Sequence, residues 1–151
     1  MEETDNNARQ MHYEDVLQQY GECITHVTGW SMEPLLHNRQ SIVRVVPAET
    51  KQLKVGDVVL YKLNDQYILH RIQKIRGDTL ITRGDNNWFL ERIPANRILG
   101  VMTGFCRRAN GRFVDCRCWD YRLYKTALPV LRPVRRTIAK TKKILENLKA
   151  T

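Results

Sequence analysis

Tyr67-Ile68-Leu69-His70-Arg71-Ile72-Gln73-Lys74-Ile75, then Arg76-Gly77-Asp78, then Thr79-Leu80-Ile81-Thr82 reads as two strands joined by a tight turn. β-branched and aromatic residues fill both arms, and the Gly-Asp step marks the reversal. The pattern continues outward. Ser41-Ile42-Val43-Arg44-Val45-Val46 alternates and stops at Pro47, and Val55 to Leu63 follows, opened by Gly56-Asp57. Downstream, Ile98 to Phe105 and Phe113 to Cys116 flank Asn110-Gly111, a two-residue hairpin signal. Residues 22–118 are therefore predicted to form one β-rich domain. Ahead of it, Tyr13, Val16, Leu17 and Tyr20 recur at helical spacing before Gly21, which predicts an amphipathic helix within residues 1–21. Residues 119–151 read as a basic helical tail. There Pro133 is expected to open a helix with Val134, Ile138, Thr141, Leu145 and Leu148 on one face. The fold class expected is mainly β, with a helix at each end.

The 151 residues suit a single domain with an attached tail. No run approaches the ~18 apolar residues that cross a bilayer. Met1-Glu2-Glu3-Thr4-Asp5 is acidic and polar, unlike a secretory signal, so a cytoplasmic protein is expected. The net charge of +9 is unevenly spread. Residues 1–20 hold five acids against one base, and residues 21–106 hold eleven bases against eight acids. Residues 107–151 hold thirteen bases against three acids. A basic tail of this kind suits either a solvated charged face over a narrow apolar seam or an acidic partner, such as an anionic membrane surface bound peripherally; nucleic acid is not expected. Cys23, Cys106, Cys116 and Cys118 are expected to be free thiols. Cys116-Arg117-Cys118 has no second pair at zinc-site spacing, so neither metal nor cofactor is expected. A hairpin at Asn110-Gly111 would bring Cys106 near Cys116.

Three short stretches carry the chemistry: Gly29-Trp30-Ser31-Met32-Glu33-Pro34, Leu69-His70-Arg71-Ile72 and Arg83-Gly84-Asp85-Asn86-Asn87. In order, they contribute an alcohol, a base and a carboxylate, the set used in nucleophilic acyl transfer. Ser31 follows Gly29 at a predicted turn, whose N–H groups could serve a developing oxyanion. A serine there also suits a helix cap, with Glu33 close by. His70 shares a strand face with Ile68 and Ile72, where partial burial would keep a neutral imidazole able to take a proton. The same placement suits a satisfied core histidine. Asp85 lies where aspartate commonly bonds its own backbone.

In these boxes (G-W-S-M-E-P, H-R-I and R-G-D-N-N) the chain resembles the signal peptidase I and self-cleaving-repressor group of serine peptidases. It is most similar to the branch with histidine as general base, which includes the endoplasmic-reticulum signal peptidase subunit. The resemblance spans Ile24 to Phe105. It implies a β-rich peptidase fold that binds substrate as an extended strand, with Ser31 as nucleophile and His70 as base. Asp85 is favoured as the orienting acid. Glu91, six residues later where that branch has a second acid, competes for the role. Gly29, Trp30, Met32 and Pro34 are assigned to the substrate side. Met32 and Pro34 would shape the turn and its apolar floor; Trp30 would wall the channel or lie in the core, the latter favoured.

Two departures stand out. Arg39-Gln40 replaces a Gly-Asp pair usual in the family, whereas Gly56-Asp57 matches a second one. Signal-processing relatives carry a hydrophobic anchor that is not seen here, and residues 1–22 are too short for a repressor's DNA-binding domain. The expected function is a serine endopeptidase cutting an extended leader-like or signal-like segment. The alternatives are an inactive peptidase fold that binds extended peptides, or a membrane-surface or nucleic-acid adaptor acting through the basic tail.

Overall fold

The computed structural model describes residues 12–149, with side chains as far as Val134. The acidic stretch at Met1–Asp5 and the side chains of Ile138, Thr141, Leu145 and Leu148 lie outside the described residues. The elements run α1 (Tyr13–Tyr20), β1 (Cys23–His26), β2 (Ile42–Pro47), β3 (Val58–Leu63) and β4 (Gln66–Arg76). They continue with β5 (Thr79–Arg83), β6 (Glu91–Pro94), β7 (Ile98–Cys106), β8 (Phe113–Asp115) and α2 (Trp119–Lys149). The strands form one antiparallel sheet in the order β1-β2-β7-β3-β4-β5-β6, with β8 also paired to β7. The mainly β class with helical ends is thus observed.

β3 explains how the sheet encloses two cores. Val58 and Leu60 join one buried cluster with Leu17, Met32, Leu35, Leu36, Val43 and Val45. Val59 and Tyr61 join the other, with Ile72, Leu80 and Ile93. A strand buried on both faces must be apolar at every position, which is why Val58-Val59-Leu60-Tyr61 is continuous and not alternating. Burying each such side chain contributes about 1.5–3 kcal/mol. α1 ends as its sequence predicts: Gly21 is left-handed at φ 70°, and its N–H donates to Leu17 O.

Four details differ from expectation. β1 and β6 are four-residue strands without a strong pattern of their own; each is recruited by pairing with a longer neighbour, β2 and β5. The β7–β8 connection takes residues 107–112 and is not a two-residue hairpin. Cys106 stands opposite Phe113, and its thiol faces Arg108 O at 2.6 Å and Gly111 O at 3.1 Å, while the Cys116 N–H reaches Thr103 O. All four cysteines are free.

α2 also starts at Trp119, well before Pro133, with Pro129 and Pro133 both inside it. Each proline removes one helical N–H. Tyr121 and Leu128, packed inward and almost fully buried, hold the helix against the sheet and offset that loss. Finally, Arg39, where the resemblance leads one to expect glycine, takes a left-handed conformation at φ 57°. Its N–H donates to Val27 O at 2.8 Å.

Candidate active site

His70 sits on β4, almost fully buried, and Glu91 is the first residue of β6. They meet because β5 stands between those strands and pairs with both: Ile72 faces Thr82, and Thr82 faces Glu91. His70 Nδ1 lies 2.7 Å from Glu91 Oε2. The same carboxylate accepts the Tyr61 hydroxyl proton, and that hydroxyl lies 3.0 Å from Thr82 Oγ1. Burial, reinforced by Glu91, pushes the Tyr61 phenol far above its ordinary pKa, so it stays a donor. With Tyr61 donating to Glu91, the remaining carboxylate contact requires a proton on Nδ1 of His70. A neutral imidazole in that tautomer carries its lone pair on Nε2.

Ser31 lies in a turn between β1 and β2. Gly29, at φ 93°, bends the chain into this turn, and its N–H donates to Asn38 Oδ1 at 2.9 Å. Ser31 and His70 line one cleft of about 660 Å³, together with Gly29, Met32, Phe89 and Glu91. Met32 is buried and forms part of the floor. Pro34, joined to Glu33 by a cis peptide, is not part of the cleft wall. Trp30 is 64% exposed, so the core expectation for it is corrected; its indole faces outward and does not line the cleft. Trp88, also exposed, follows the Asp85 turn.

Asp85 is in contact with a different set of groups. It holds Arg71 through two bonds of 2.8 and 2.7 Å and accepts the Tyr124 hydroxyl at 3.1 Å. Arg132 Nη2 is 3.4 Å away. Arg71 also donates to Gly56 O and the Tyr121 hydroxyl. Burial opposes charge on Arg71, but Asp85 outweighs it and holds the guanidinium above its ordinary pKa. His70 and Arg71 are neighbours on a strand, so they point to opposite faces. The structure brings Glu91 to His70 and gives Asp85 to Arg71.

Asp85 still bears on the site, through its turn. Asn86 N–H donates to Ser31 O at 2.7 Å, and Asn86 Nδ2 donates to Trp30 O at 3.2 Å. A Cβ on Gly84 would stand 2.5 Å from Ser31 O, so only glycine lets the two turns touch. The R-G-D-N-N box is thereby clamped by Arg71 on one side and supports the serine turn on the other. Tyr61 and Thr82 were not singled out from the sequence. Their only signal was membership of strand-like runs, which says nothing about cross-strand partners.

Residues 1–103 match the peptidase S24-like family. The chain belongs to that family. The match ends inside β7, so β8 and α2 lie beyond the S24-like region. Comparison with curated proteins gives no significant match. Among the described residues no group of three or more His, Cys, Asp or Glu gathers as a metal site. No helix among them is long and apolar enough to cross a membrane.

Two strand edges of this S24-like fold open onto the cleft. Among the described residues β1 pairs only with β2. The β4 pairing with β5 begins at Arg71, so among the described residues Gln66–His70 pair only with β3. Thr25 and His26 from β1, and Gln66 to His70 from β4, line the cleft walls.

Proposed function

We propose that this protein is a serine endopeptidase of signal-peptidase type, in the histidine-base branch, acting on an extended leader-like or signal-like segment. Ser31 Oγ attacks the scissile carbonyl as its proton passes to His70 Nε2. The imidazolium returns that proton to the leaving amine, and water then hydrolyses the acyl-enzyme with His70 again as base. Glu91 holds Nδ1–H and stabilises the imidazolium; Asp85 is a positioning residue for the serine turn. The observation that carries this reading is the pairing of buried His70 with the half-buried Glu91 in the same cleft as Ser31. The open edges of β1 and β4 support binding of the substrate as an added strand between them. The test is fluorophosphonate labelling of wild type, Ser31→Ala and His70→Ala. Labelling of wild type that both substitutions abolish is the expected result. No labelling of folded wild type, together with undiminished binding of extended peptides, would favour an inactive peptide-binding fold.

The described part of α2 favours a membrane-surface role alongside catalysis. Tyr121, Tyr124, Leu128 and Arg132 face the domain, whereas Trp119, Leu123, Val130 and Val134 form an exposed apolar stripe. Those four positions fall within one helical face. With the basic excess of residues 107–151 they fit the surface of an anionic bilayer, which the protein would meet peripherally from the cytoplasm.

A further inference from the structure

Glu91 needs something to hold its carboxylate against His70. It opens the short strand β6, which among the described residues pairs only with β5. Its side chain is long and half-buried, so rotation toward solvent competes with the contact to Nδ1. Tyr61 differs in each respect. It stands on β3, which is paired on both sides, with β4 and with β7, and it is fully buried. Val59 faces His70 across the β3–β4 pair, and Tyr61, two residues on, shares that face of the sheet. This register puts the Tyr61 hydroxyl 3.1 Å from His70 Nδ1 and in contact with Glu91 Oε2, the same oxygen that meets the ring.

The protons of this cluster run in one direction. The Tyr61 proton goes to Glu91, so the contact between the Tyr61 and Thr82 hydroxyls requires Thr82 as the donor. Thr82 is itself fully buried. Thr82 thus donates to Tyr61, Tyr61 to Glu91, and His70 Nδ1–H to the same carboxylate. Donors in series polarise one another and strengthen the last bond. A carboxylate held this way from a rigid central strand meets the requirement that a reacting side chain be locked by packing and by hydrogen bonds behind it.

We propose that Tyr61 is a positioning residue. Through Glu91 it keeps the carboxylate oxygen on His70 Nδ1, and so keeps the imidazole in the tautomer with its lone pair on Nε2. The inference rests on the peptidase reading above and adds the group that stands behind its orienting acid.

The test compares the full wild-type chain with Tyr61→Phe, which keeps the ring and loses only the hydroxyl. Fluorophosphonate labelling reads the rate. NMR of isotope-labelled histidine rings reads the tautomer, with His70→Ala assigning the His70 signal. Wild type is expected to carry the ring proton on Nδ1. In Tyr61→Phe labelling is expected to slow by about 10- to 100-fold, the worth of one hydrogen bond to a charged group, and the His70 ring to spread over both tautomers. In a Glu91→Gln background the same substitution should slow labelling little further, because its effect passes through the carboxylate. Tyr61→Phe strands the buried Thr82 hydroxyl, so Tyr61→Phe combined with Thr82→Val, which removes both polar groups, serves if the single variant does not fold; it should show the same two losses. An unchanged tautomer in the folded variant, a labelling rate within about twofold of wild type, or an equal fall with and without the Glu91 carboxylate would overturn this proposal and leave the peptidase reading standing. No labelling of folded wild type would overturn both.

Discussion

Replacing Glu91 with glutamine is expected to lower kcat by about 10⁴-fold with the fold retained, as when a base-orienting carboxylate is neutralised. Two losses add up. The amide no longer compensates the imidazolium that forms when Ser31 gives up its proton. Its NH₂ can also turn toward Nδ1 and favour the tautomer with the proton on Nε2, which leaves the base without its lone pair there. The fold should tolerate the change, because Tyr61 can still donate to the amide oxygen and glutamine has the shape of glutamate. A lost neutral hydrogen bond costs only about 1 kcal/mol. The check is the rate of fluorophosphonate labelling beside a thermal melt. A labelling rate within a few-fold of wild type would rule out Glu91 as the orienting group.

Asp85→Ala is expected to act in the opposite way, destabilising the fold by about 3–5 kcal/mol. The aspartate is buried, and so is the guanidinium that it neutralises. Removing the acid leaves Arg71 charged, desolvated and near a second cation, Arg132. Tyr124 loses its acceptor in the same step. Urea denaturation would measure the loss. The double substitution Asp85→Leu with Arg71→Met should recover much of it, since replacing both members of a buried pair by apolar residues removes the uncompensated charge. If Asp85→Ala cost under about 1 kcal/mol and still abolished labelling, the aspartate would be serving the chemistry directly. The two carboxylates, six residues apart in sequence, are therefore separable by which quantity moves: a rate for Glu91, a stability for Asp85.

Much of this was legible in the chain itself. Local pattern marked α1 with its Gly21 stop, the long β4–β5 hairpin and the order of the serine, histidine and acidic boxes, because those signals need only neighbours within a few residues. Local pattern failed where pairing decides. β6 has four residues and ends in proline, and it is a strand only because β5 offers it a partner. That pairing, and nothing near Glu91 in sequence, brings its carboxylate to His70. Asp85 sits in the stronger motif and looked like the better candidate, yet alternation along β4 turns Arg71, not His70, toward it. Trp30 was expected to wall the channel or lie in the core, the latter favoured, but its turn directs it to solvent.

The sequence by itself determined which residue types could do chemistry, the mainly β class, and the concentration of positive charge in the tail. Only the tertiary structure decided which acid meets the histidine and which strand edges are left open among the described residues. The reason is physical. Strand propensity and helix capping are energies of short segments, whereas a hydrogen-bonded pair across three strands depends on register, and register is set by the packing of the whole sheet.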